Sequence, residues 1–123
     1  MEELTKKKAI ASHRKMWNWI ADETERSKNY VDESDYFKAM KVPDGDEPAF
    51  DSYCCEYAIQ QNNGEFIGAC KYCPLDWKSE SDLAMCEVKE VWGDDEGLYE
   101  EWRQAHVKDN AKIAREIANL KER

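Results

Sequence analysis

Residues 53–86 hold all five cysteines of the chain, Cys54, Cys55, Cys70, Cys73 and Cys86, in a stretch with little periodic apolar pattern. On either side the pattern is helical. Burial of side chains at regular spacing is the usual way to hold a segment in place, and this one offers little of it. The cysteines are the alternative. Cys70-Lys71-Tyr72-Cys73 is a C-x2-C pair, followed at once by Pro74 and closed by Trp77.

One tight turn at that spacing aims two thiolates at a single ion, and structural zinc takes four ligands in a tetrahedron. Fourteen residues separate Cys55 from Cys70 and twelve separate Cys73 from Cys86, so either loop can return a ligand to the turn. The expected site is a structural Zn2+ held by Cys55, Cys70, Cys73 and Cys86. Ser52 stands where a second C-x2-C pair would place its first cysteine, and a hydroxyl is a poor zinc ligand beside thiolates. Adjacent Cys54 and Cys55 point different ways in most backbone conformations. Cys55 is favoured because a helical start at "CEYA" turns its thiol toward the pair; Cys54 is the reserve ligand.

Other readings of the thiols stay open. Cysteine packs well in cores. A redox pair would follow a strand and open a helix, whereas Pro74 follows Cys73 directly. Iron–sulfur clusters also take four cysteines, so the metal is zinc or iron. With four thiolates no position is left for water, which disfavours catalytic zinc. The ion would then supply folding free energy, on the order of 10 kcal/mol for small zinc sites, where residues 53–86 lack a hydrophobic core. The N-terminal "MEELTKKKAIASHR" has no apolar core or cleavage site of a secretory signal. A cytoplasmic protein with reduced thiols is expected, and no run of apolar residues is long enough to span a membrane.

The net charge of −9 is unevenly distributed. Residues 31–102 carry nineteen Asp and Glu against five Lys and Arg, and both ends are mildly basic. Such a middle repels phosphate backbones, so nucleic acid is an unlikely partner. It suits a protein partner with a basic surface, met by electrostatic steering; solubility alone is the plainer use.

The fold class expected is mainly α: a small helical domain with an irregular cysteine-rich, zinc-binding insert that includes a short strand through Phe66 and Ile67. The chain of 123 residues divides into N-terminal helices (1–42), an acidic loop with the cysteine segment (43–94) and C-terminal helices (95–123). Leu4, Ile10, His13, Trp17, Ile20 and Ala21 make one stripe over residues 3–27, widened by Met16 and Trp19. A short helix follows in "VDESDYFKAM", capped by Asp32 or Ser34. Pro43, Gly45 and Pro48 break the chain next. "CCEYAIQ" reads as a helical turn or a strand. Leu98, Trp102 and Ala105, then Ile113, Ala114, Ile117 and Leu120, line the last helices, with a break expected at Asp109–Asn110.

His13 and His106 read as packed or half-exposed helix residues rather than ligands. Asp94, Asp95 and Glu96 read as solvated residues at a helix start. Trp77 and Trp92 are expected to roof the cysteine site. No catalytic signature for hydrolysis, phosphate binding or deamination is present, so the expectation is a protein that is not an enzyme.

The run "ASHRKMWNWIADET", the pair "CCEYA" with "CKYCPLDW", and the ending "AREIANLKER" together resemble a group of small phage and prophage proteins with a CEYA…CxxCPLxW…C core. The resemblance implies a phage origin and a metal-binding core in which Cys55, Cys70 and Cys73 match directly and Cys86 is the trailing cysteine. It carries over no biochemical activity. The function expected is a zinc-stabilised, acidic protein that binds, and by binding inhibits, a host protein such as a nucleic-acid enzyme or defence effector. The alternative is an accessory factor in phage DNA or RNA metabolism that touches nucleic acid through Lys6, Lys7, Lys8 and Arg14.

Overall fold

The structure is a computed structural model that describes residues 2–77 and 97–123. These residues form five α-helices: α1 (Lys6–Ser27), α2 (Glu33–Ala39), α3 (Tyr53–Gln61), α4 (Leu98–Gln104) and α5 (Val107–Ala118). The expected mainly α class holds. The strand anticipated through Phe66 and Ile67 does not form; these residues sit in turns. Pairing of the β type is confined, among the described residues, to an isolated bridge between Leu75 and Glu122.

The longest helix is α1, and its ends are fixed by local chemistry. Thr5 caps the start by accepting from the Lys8 N–H at 3.1 Å, which satisfies one of the free donors there. Lys28 closes it in the left-handed region at φ 57°. Ala9, Ile10, His13, Met16, Trp17, Ile20, Ala21 and Thr24 are buried along one face. These positions recur at three and four residues, so they fall on one side of a helix with 3.6 residues per turn.

Most of that face is covered by α5. Ala111, Ala114 and Ala118 are buried beside Ile117, and their small side chains let two helix backbones approach closely. Arg115 ties the rim: it donates to Asn18 Oδ1 at 3.2 Å and pairs with Asp22 and Glu25 of α1. The break before α5 lies at Ala105–His106, four residues earlier than the sequence suggests. Asn110 is instead buried inside α5, where its amide donates to the Trp102 carbonyl at 2.6 Å and satisfies a C-terminal oxygen of α4.

An aromatic cluster joins α1 to α4. Trp17 meets Trp102 edge-on at 4.8 Å and Tyr99 at 6.0 Å, and Tyr30 stacks on Trp102 at 5.3 Å. Edge-to-face contacts of this kind add about 0.5–1.5 kcal/mol each beyond area burial. On the other side, α2 brings Tyr36 and Phe37 into the core, with Trp19 against Tyr36 and Tyr53 of α3 against Phe37. The capping box at its start is complete: Asp32 accepts from the Asp35 N–H and Asp35 from the Asp32 N–H.

The cysteine segment is also part of this core, which corrects the expectation that it has none of its own. Cys54, Ala58, Ala69, Cys73, Leu75 and Trp77 are all buried in the same cluster as the α1 face. Truncating Trp102 to Ala removes the centre of the aromatic cluster and is expected to cost about 3–5 kcal/mol. Asp32→Ala removes one cap and is expected to cost about 1 kcal/mol. Urea unfolding of the two variants checks both; equal losses would contradict the placement of Trp102 at the centre.

Candidate functional site

The cysteine pair is built from a sharp local turn. Gly68, at φ 81°, turns the chain in a conformation that side chains rarely adopt, and a turn of 3-10 helix follows over Ala69–Tyr72. The Cys73 N–H donates to the Cys70 carbonyl at 3.0 Å, closing the turn between the two thiols. Two donors then reach the Cys73 sulfur: the Leu75 backbone N–H and the Trp77 indole. Donors of this kind stabilise a thiolate and orient it. Burial still pushes the Cys73 thiol up from its ordinary value, more than those donors pull it down.

The C-terminus clamps this turn. Asp76 N–H donates to the Lys121 carbonyl and Arg123 N–H to the Pro74 carbonyl, each at 2.8 Å. The Arg123 guanidinium adds a bond to the Cys70 carbonyl at 3.2 Å. At the other face, α3 supplies Cys54 and Cys55. Ser52 serves as its N-cap, accepting from the Cys55 N–H at 3.2 Å; this is the role of the residue that stands where a cysteine ligand would complete a pair. Cys55 therefore sits in the first turn of α3.

Cys54, Cys55, Cys70 and Cys73 line one cavity of about 450 Å³. Its walls include the aromatic rings of Trp17, Phe50, Phe66, Trp77 and Tyr99, along with Asp51 and Arg103. None of the four thiols is in a disulfide. Of the expected zinc set, Cys55, Cys70 and Cys73 thus share one wall system, and Cys86 lies outside the described residues, as do Trp92, Asp94, Asp95 and Glu96. Among the described residues, no three His, Cys, Asp or Glu side chains converge closely enough to hold a metal ion. Cys54, the reserve ligand, is buried against α1 with its sulfur 3.9 Å from the Ala9 carbonyl. Desolvation drives its thiol far above the ordinary range, as befits a core residue.

His13 is a residue of this cavity that sequence reading assigned to packing. It is 1% exposed, and its ring edge meets Trp77 at 6.2 Å. Its Nε2 lies 2.8 Å from the Ile117 carbonyl. A carbonyl only accepts, so Nε2 carries the hydrogen and Nδ1 is left with the lone pair. Burial holds the imidazole at a pKa of about 4, against some support from the Ile117 carbonyl, so it is neutral at pH 7. His106 is exposed at the start of α5.

A second polar contact lies nearby. Tyr99 Oη donates to Glu33 Oε2 at 2.7 Å. Burial raises the Glu33 carboxyl above its ordinary value, partly offset by the Tyr99 hydrogen bond. No protein-family model matches the chain, and neither curated proteins nor solved structures yield a match.

Two results are expected from these burial differences. With chelator present, iodoacetamide labels Cys70 well before Cys54, and peptide mass spectrometry reads the order; equal rates would contradict the core position of Cys54. Glu33→Gln stabilises the fold at pH 7, because the ionised carboxylate is the disfavoured form in the folded state. That advantage fades as pH falls through the raised folded pKa and is gone below the unfolded one. Urea midpoints at pH 7 and pH 4 test it.

Proposed function

We propose that the chain is a zinc-stabilised, acidic, phage-type protein whose work in the bacterial cytoplasm is to hold a host protein, and that it is not an enzyme. The observation that carries this reading is at the mouth of the cysteine cavity. Phe50 and Phe66 touch there at 4.6 Å between ring centroids, and they are 63% and 58% exposed, with neighbouring Ile67 at 81%. Phe50 and Asp51 are both held at positive φ, 54° and 55°. Such backbone costs on the order of 1–3 kcal/mol per residue and tends to persist where function requires it. A left-handed turn that puts an aromatic ring into water gains nothing for the fold, and exposed apolar patches mark interaction sites.

The surroundings give the partner its chemistry. Asp44, Asp46, Glu47, Asp51 and Glu65 are exposed and flank the two phenylalanines in sequence. An apolar centre within an acidic rim suits a basic protein surface with an apolar knob, such as the nucleic-acid-facing side of an enzyme or a defence effector, which binding would block. Zinc bound by the thiols would stiffen the wall behind this patch. No helix among the described residues is long and apolar enough to cross a membrane. The alternative, a nucleic-acid contact through the N-terminal basic residues, draws less support: Lys6 pairs with Glu122 at 3.1 Å and Arg14 donates to the Leu120 carbonyl at 3.3 Å. Both side chains serve to hold the C-terminus.

Capture of host proteins on the immobilised chain tests this reading, with a Phe50→Ala/Phe66→Ala variant and a nuclease-treated lysate alongside. The reading predicts one retained protein, lost both with the double variant and at raised salt, and indifferent to nuclease. Retention that survives the double variant contradicts it, and retention that disappears with nuclease favours the nucleic-acid alternative.

A further inference from the structure

We infer that His13 is a metal ligand, its Nδ1 completing a site with Cys55, Cys70 and Cys73 in the position that sequence assigns to Cys86. The inference rests on the zinc reading above and names the ligand set.

Two observations converge on this imidazole. First, it lines the same cavity as the three thiols, although it comes from α1 and is more than forty residues away in sequence. Second, its Nε2–H is committed to the Ile117 carbonyl, while Nδ1 is buried without a hydrogen-bond partner. An unmatched buried polar atom costs roughly 1–3 kcal/mol. A residue needed only to reach that carbonyl has no use for a second ring nitrogen. Zinc-bound histidines share this arrangement: one nitrogen binds the ion while the other donates to a backbone oxygen, which fixes the tautomer.

Charge favours the mixed set as well. Four thiolates around Zn2+ leave the site at −2, and three with an imidazole leave −1. The smaller charge is cheaper to bury. The cavity is wide, and its thiols are spread over the wall. Closing on an ion requires Cys55 and Cys70, the two half-buried thiols, to swing inward, a change of rotamer. Trp77 then serves both sides, donating to the Cys73 sulfur and packing its ring on His13.

The test replaces zinc by Co2+ in the full chain and compares His13→Gln with Cys86→Ser. Glutamine retains an N–H for the Ile117 carbonyl and lacks the imidazole nitrogen. The inference predicts that Cys86→Ser leaves the visible cobalt bands unmoved. It also predicts that His13→Gln weakens Co2+ binding by at least about 100-fold, since loss of even an outer partner costs about 10–100-fold. The reverse pattern, with Cys86→Ser destroying the site and His13→Gln leaving the bands in place, overturns the inference and spares the zinc reading. Absence of cobalt binding by the unmodified chain removes both. Should His13→Gln not fold, the unmodified chain loaded with cadmium-113 and labelled with nitrogen-15 histidine supplies the answer. Scalar coupling between cadmium and Nδ1 is predicted, and bound cadmium without it refutes the assignment.

Discussion

The buried face of α1 is the surface on which every other described element depends. Ile10, Trp17, Ile20 and Ala21 receive the alanine-rich side of α5 and the aromatic cluster of α4. Ala9 meets Cys54 of α3, and His13 reaches Ile117 of α5 while lining the cysteine cavity. One stripe of a helix about 33 Å long therefore positions both the hydrophobic core and the thiols. The chain ends reinforce it, because the C-terminal residues pair with the turn that carries Cys70 and Cys73.

The zinc proposed for this segment would join a segment that already packs. The core contribution of residues 53–77 comes from Cys54, Ala58, Ala69, Cys73, Leu75 and Trp77. Beside them lies the cavity, whose lining includes four thiols and one imidazole with an unused lone pair, together with Asp51, Ser52 and Arg103. A cavity of this kind is a weakness in an apolar core and an asset for an ion, whose binding free energy adds directly to folding.

Much of this was legible in the sequence. The stripe over residues 3–27 became α1 at Lys6–Ser27, and Asp32 caps α2 as its position before "ESDYFKA" implies. The turn at Cys70–Cys73 follows from spacing and from Pro74. What sequence concealed was mostly tertiary. Phe66 and Ile67 have strand-forming side chains, yet Gly64 and Gly68, both at positive φ, enclose them in turns. Asn110 looked like a cap, but its amide is needed inside, on the Trp102 carbonyl. His13 sits on an apolar stripe, where packing is the natural reading; only the structure shows that the Ile117 carbonyl takes one ring nitrogen and leaves the other unpaired.

The most direct test of the account is the metal content of the unmodified chain purified without chelator, followed by its thermal unfolding before and after chelation. One zinc per chain, with a large drop in the unfolding temperature once it is removed, is the predicted result. A chain that carries no metal and unfolds at the same temperature with and without chelator would contradict it, leaving the thiols as ordinary core residues.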